Sequence, residues 1–310
     1  MNKRTYTYKV VGNCRIQADV YQASGRRPRP AILFLHGGAL ILGRREGIHP
    51  GQLDRYLNAG YTLISVDYRL APETKLPAII EDVQDAVRWV RERGPELFRI
   101  DPDRLAVIGH SAGGYLTLMA GFCVHPRPSA LVSFYGYGDI AGPWYSRPDP
   151  FYCREPAVTR AEADAAVGDQ VISNAAGPEH QNRGRYYLYC RQQGLWPKEV
   201  LGRDPDKQPC DFDPFCPVCN VTADYPPTLL LHGDEDTDVP YEQSVLMADT
   251  LARAGVEHQL LTVPGGGHGF DGRMDEPVVS AAFETVLCFL GGILDQPGDP
   301  KRGAGGGVNA

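Results

Sequence analysis

The chain carries no surplus of positive charge: 31 lysines and arginines against 38 aspartates and glutamates give a formal charge of −7 over 310 residues. The basic footprint that nucleic acid demands is therefore missing. No window approaches the run of about 18 apolar residues that reads as a membrane span. The opening stretch, MNKRTYTYKVVGNCRIQADVYQ, alternates polar and apolar side chains and has neither the apolar segment nor the cleavage site of a secretory leader. The expectation is a chain that starts at Met1 and works in the cytoplasm, with a trimmed secreted chain reading the same way. There is no internal repeat. Cysteine occurs eight times, at 14, 123, 153, 190, 210, 216, 219 and 288, too dispersed for a disulfide scaffold. Cys216 and Cys219 have the spacing of a zinc half-site with Cys210 nearby, but no second pair follows, so no metal is expected and the three read as isolated thiols or a local disulfide.

What is present is an alternation of strand and helix patterns. The apolar runs 31–36, 61–68, 104–110, 130–136, 228–233 and 258–264 are near-continuous, as strands buried on both faces must be. Between them, Ile80, Val83, Val87 and Val90 recur at helical spacing, and 115–123, 244–255 and 278–294 read the same way. This predicts an α/β architecture, a mostly parallel sheet with helices on both faces. Two N-terminal strands are expected as an antiparallel hairpin at its edge. Residues 137–225, rich in Pro, Gly, Tyr and Arg, run for about ninety residues without a core strand, too long for a loop, and predict an inserted cap or lid. The core is thus assigned to 1–136 and 226–292, and a disordered tail to 293–310. The aromatics Trp144, Tyr145, Phe151, Tyr152, Tyr186, Tyr187 and Tyr189 either line a pocket or form the small core of the cap itself.

GHSAGG, at 109–114, follows a strand pattern and precedes a helix pattern. One reading is a tight turn whose serine caps the helix. The other is a nucleophile elbow that exposes Ser111. A serine needs a base and a carboxylate to orient that base. His268 stands among glycines in VPGGGHGF, where there is little apolar packing for it to join. The turn HGDEDTDVP supplies Asp234, Glu235, Asp236 and Asp238. HGGA at 36–39 could be a mere turn, or a source of free amides for an oxyanion hole. His36 and His232 read as structural, His36 as a brace of that turn, and His110 is expected to point away from the serine.

With HGGA, SVDYRLAPE (65–73), GHSAGG, HGDEDTDVP and GGGHGF in the chain order Ser, Asp, His, the sequence resembles the α/β-hydrolase serine esterases, over roughly 30–136 and 226–292. SVDYRLAPE is similar to the hormone-sensitive-lipase-like, feruloyl and acetyl esterases, with Asp67 and Arg69 in structural roles. Ala39 in place of a third glycine, and His110 where that lipase group has Asp, bring in the dienelactone-hydrolase-like branch. The resemblance implies Ser111 as nucleophile, His268 as base, Asp236 as acid ahead of Asp238 and Asp234, and an oxyanion hole from the amides of Gly38, Ala39 and Ala112. It implies carboxylesterase chemistry on small or aromatic or carbohydrate-linked esters, with no cofactor and no nucleic-acid or membrane partner; it leaves the oligomeric state open. The alternatives are a prolyl-oligopeptidase-like serine peptidase and a hydrolase fold kept for binding.

Overall fold

The computed structural model describes residues 2–22 and 28–295. Strands β1 (Asn2–Val11) and β2 (Cys14–Gln22) form the antiparallel hairpin, followed by β3 (Arg29–Leu35), helix α1 (Pro50–Asn58), β4 (Thr62–Val66), α2 (Leu76–Phe98), β5 (Ile100–His110) and α3 (Ala112–Cys123). After β6 (Ala130–Phe134) come the insertion helices α4 (Pro143–Ser146), α5 (Arg160–Asp164), α6 (Arg183–Gln193), α7 (Trp196–Leu201) and α8 (Pro217–Asn220). The chain closes with β7 (Thr228–Gly233), α9 (Glu242–Arg253), β8 (His258–Val263) and α10 (Pro277–Leu294). The strands make one eight-stranded sheet in the order β1-β2-β4-β3-β5-β6-β7-β8, parallel from β4 to β8.

Both faces of the central strands are apolar because both are covered. Leu33, Leu35, Leu105, Val107 and Leu131 point to the layer of α2, α3 and α9, while Ile32, Phe34, Ala106, Ile108 and Val132 point to that of α1 and α10. This period-two split of continuous apolar runs is what a doubly covered sheet requires. The insertion does not stand apart. Its Tyr145, Tyr186, Trp196 and Phe212 belong to the same buried cluster as α2 and α3. Trp144, Tyr145 and Trp196 stack in turn, at 3.9 and 4.0 Å between centroids, so most of those aromatics form a core and only Tyr187 reaches the cavity described below.

Three expectations need correction. Helix α1 is absent from the sequence reading; its three buried apolar residues, Leu53, Tyr56 and Leu57, give too short a pattern to stand out. Residues 293 and 294, assigned to the tail, complete the last helical turn, with Leu294 buried; the rest of that tail, 296–310, lies outside the described residues. Among the described residues α10 is long and apolar enough, by length and composition, to cross a membrane. Here its Val279, Phe283, Val286 and Leu290 cover the sheet, and Glu284 pairs with Arg55 of α1 at 2.6 Å.

Gly113 sits so tightly against the end of β3 that a β-carbon there would lie 2.0 Å from the Leu35 carbonyl oxygen. In an open helix, Gly→Ala would stabilise by up to about 1 kcal/mol. At this position the clash reverses the sign: Gly113→Ala is expected to lower stability by about 1–3 kcal/mol in urea titration, and a stabilised variant would show that this contact is not tight.

Candidate active site

The turn after β5 decides between the two readings of GHSAGG. Ser111 occupies φ 54° and ψ −118°, a conformation rare for a residue with a side chain, and its backbone is tied by a 2.9 Å bond from its N–H to the Phe134 carbonyl. The hydroxyl makes no capping bond to the first turn of α3. It lies 3.1 Å from His268 Nε2. The strained turn aims the side chain off the sheet, as an elbow does. A β-carbon on Gly109 would meet the Gly113 carbonyl oxygen at 2.1 Å, so the two motif glycines press on each other.

His268 comes from the loop after β8, and its Nδ1 is 2.8 Å from Asp236 Oδ2. A carboxylate only accepts, so Nδ1 carries the proton and Nε2 is free to take one from Ser111. The side chain of Asp236, in the turn after β7, is fully buried; its Oδ1 accepts from the N–H groups of Asp238 and Val239 at 2.8 and 2.9 Å. Burial alone would raise its pKa, but hydrogen bonds with His232 and His268 and the backbone N–H of Val239 hold it well below the usual carboxylate range. Burial of His268 works against its charge, yet the bond to Asp236 and the nearby Asp238 and Asp271 carboxylates raise its pKa above 6.5.

The other acids of the turn have separate tasks. Asp234 accepts from Gly265 N at 2.7 Å and so ties its turn to the loop that carries His268. Asp238 receives Tyr187 Oη at 2.5 Å and Arg191 at 2.6 Å on Oδ1, while Oδ2 lies 3.4 Å from His268 Nε2. His232 is buried, bonded to Ser244 and to the Val239 carbonyl. His36 stacks on Tyr68 and is kept neutral, its pKa pushed down to about 4 by burial. Cys210, Cys216 and Cys219 are free thiols.

Gly38 and Ala39 border the same cavity as Ser111 and His268, and Ala112 is the first residue of α3. Among the described residues, none of these three N–H groups donates to a protein acceptor. The cavity has a volume of roughly 590 Å³. Its lining includes Ile48, His49, Tyr187, Asp238 and Asp271 and no lysine or arginine.

Sequence reasoning missed a second polar cluster beside His268. Asp271 accepts from Tyr135 Oη and from Gln52 Nε2, and lies 3.3 Å from His110 Nδ1. The Tyr135 ring meets His268 edge-on at 4.6 Å. His110 lines the cavity, with its ring packed against Phe34 and Phe134. Asp271 reads in sequence as one more turn acid. Its place three residues after His268 is the one signal that could have singled it out.

The arrangement can move a proton from Ser111 to His268 while Asp236 fixes the imidazole. Known proteins share both the sequence pattern and the fold. The BD-FAE family model matches residues 18–251. Esterase LipC of Mycobacterium tuberculosis is 31% identical across 85% of this chain and 58% of its own length. Non-reducing polyketide synthase Preu3 of Preussia isomera is 29% identical across 91% of this chain, which spans only 13% of that protein. An α/β hydrolase superfamily protein from Enterococcus faecalis superposes with a TM-score of 0.70 at 23% identity, over 93% of this chain and 98% of its own, and shares the fold.

The His268 imidazole, followed through its ring-proton NMR resonances, is expected to titrate above 6.5 and to fall in Asp236→Asn. The stabilising share of this raised pKa is complete below 6.5 and disappears as pH rises through the folded-state value. That of the depressed Asp236 is complete above 3.8 and disappears as pH falls. A His268 titration below 6.5 would contradict the charge balance described.

Proposed function

The chain belongs to the BD-FAE family, and from that membership we propose that it is a carboxylesterase-type serine hydrolase in which Ser111, His268 and Asp236 form the catalytic triad. The observation that carries this reading is the continuous path from Ser111 Oγ to His268 Nε2 at 3.1 Å and from Nδ1 to Asp236 at 2.8 Å. His268 takes the hydroxyl proton as Ser111 attacks the ester carbonyl. Asp236 holds the tautomer and stabilises the imidazolium. The developing oxyanion is received by the amides of Gly38, Ala39 and Ala112, where one lost donor typically costs about 3 kcal/mol. His268 then returns its proton to the leaving alcohol, and water repeats the sequence on the acyl-enzyme.

The cavity supports a reading of the substrate class. Roughly 590 Å³ suits a small acyl group together with a ring-sized alcohol or an aromatic acid. Its polar lining includes the carboxylates of Asp238 and Asp271 beside His49, His110 and His268. Asp238 Oδ2 stands 3.4 Å from the nitrogen that delivers the proton to the leaving alcohol. An alcohol with a second hydroxyl beside the ester oxygen has an acceptor there, which favours carbohydrate-like esters; an anionic alcohol is repelled.

Hydrolysis of p-nitrophenyl acetate should fall by at least about 10⁴-fold in Ser111→Ala, and equal rates in the two proteins would remove the triad reading. A monoester of a 1,2-diol should be preferred over the matching ester of a simple alcohol by roughly tenfold in kcat/KM, the scale of a hydrogen bond to a charged acceptor. Asp238→Asn should shrink that preference; an unchanged ratio would show that Asp238 takes no part in selecting the alcohol.

A further inference from the structure

The carbonyls of the loop after β3 are nearly all occupied. His36 O accepts from Tyr68 Oη at 2.7 Å, and Gly37 O from His36 Nδ1 at 2.7 Å. Gly38 O accepts from both Ile41 N at 2.9 Å and Leu42 N at 2.7 Å. Ala39 O accepts from Trp196 Nε1 at 2.8 Å, Leu40 O from Ala71 N at 2.7 Å, and Ile41 O from Arg183 Nε at 2.8 Å. Among the described residues the amides of Gly38 and Ala39 make no bond to a protein acceptor, and both residues line the cavity.

A peptide unit is planar and trans, so a carbonyl fixed on one side fixes and polarises the N–H on the other. Arg183 Nε binds the Ile41 carbonyl; the N–H of that same peptide, on Leu42, binds the Gly38 carbonyl; and the N–H of that peptide is the one on Ala39. Three donors thus stand head to tail, beginning at a guanidinium. A parallel path runs from Ala71 N through the Leu40–Ile41 peptide to the same Gly38 carbonyl. Arg183 also holds that segment, through the Ala71 carbonyl at 2.6 Å. The His36 ring does the same for the Gly38 N–H by way of the Gly37 carbonyl.

Arg183 and Trp196 belong to the insertion, and the contacts they make are not incidental. Arg183 is 1% exposed and pairs with Glu73 through two bonds, at 2.6 and 2.8 Å. Trp196 is fully buried against Tyr145. The loop needs such restraint, because Ala39 and Leu40 both sit in the left-handed region, at φ 54° and 61°. That region costs a residue with a side chain about 1–2 kcal/mol.

We propose that Arg183 and Trp196 are positioning residues for the oxyanion hole: Arg183 aims and polarises the Ala39 amide through the Leu42 N–H and the Gly38 carbonyl, and Trp196 holds Ala39 from its other side by its carbonyl, so that the insertion does more than shape the pocket. The inference rests on the triad reading above.

The test compares wild type with Arg183→Gln and Trp196→Phe, using steady-state kinetics and a trifluoromethyl ketone. The ketone carbon is attacked by Ser111 Oγ, the hydroxyl proton passes to His268, and the resulting oxyanion sits on the loop amides. Arg183→Gln is expected to lower kcat roughly tenfold to a hundredfold, with KM within about twofold, and to weaken trifluoromethyl ketone binding by the same factor. Trp196→Phe keeps the stacked ring and should move both quantities the same way by less. The acid limb of the pH profile should stay in place, since His268 and Asp236 are untouched. Loss of Arg183 alone strands the Glu73 carboxylate, so the Glu73→Gln, Arg183→Gln double variant and 3-benzothienylalanine at Trp196, an isostere without the N–H, repeat the comparison if a single variant does not fold. Folded variants with kcat and inhibitor affinity within twofold of wild type would overturn the proposal, as would a fall in kcat with inhibitor affinity unchanged. If the wild type binds the trifluoromethyl ketone no better than the matching methyl ketone, the serine reading itself fails instead.

Discussion

The site depends on how closely the turn after β5 presses on the end of β3. With no side chain on Gly113, α3 begins against the carbonyls of Leu35 and His36. That approach sets Ser111 beside the loop of Gly38 and Ala39. A methyl group at that contact would push the turn of Ser111 away from that loop. The sheet order then supplies the remaining parts. β6, β7 and β8 lie successively beside β5, so the loops after β7 and β8 carry Asp236 and His268 to the same edge. This is the edge where open parallel sheets place their ligands.

Electrostatics divides the acids of this region by environment. Asp236 is buried and fully bonded, so it stays ionised and fixed. Asp238, with one oxygen anchored by a buried arginine, keeps the other toward the cavity. Asp271, bonded to Tyr135 and Gln52, adds negative charge on the far side of His268. The His268 imidazole thus has carboxylates around it, while the loop of Gly38 and Ala39 brings only neutral groups to the cavity. Arg191 shows how the insertion sustains this pattern: it is 1% exposed, pairs with Asp149 and Asp238, and is enclosed by Tyr145 at 4.9 Å and Tyr152 at 4.7 Å.

The fold was legible because its central strands are near-continuous apolar runs that alternate with helix patterns, which is what a sheet covered on both faces requires. Ser111 and His268 were legible as candidates because a serine flanked by small residues, and a histidine set among glycines, contribute little to packing and so stand out against the core; Asp236 was one of four acids in a single turn, and only the family resemblance put it ahead of the others. The insertion was legible as a block but its contacts were not. Nothing in the sequence singles out Arg183 or Arg191, since a buried arginine is recognised only through partners that lie far away in sequence, Glu73 and Asp238 among them. Tyr135 ends an ordinary strand pattern, and its bond to Asp271 crosses 136 positions. Periodicity carries no information about such pairs.

Whether Ser111 is the nucleophile is tested most directly by mixing the protein with p-nitrophenyl acetate, quenching it in acid within milliseconds, and locating the acyl group by peptide mass spectrometry. An acetyl group is expected on the peptide that contains Ser111, appearing with the first turnover and absent after longer incubation once substrate is spent. Acetyl on another residue, or turnover with no acylated Ser111 at any time, would contradict the triad.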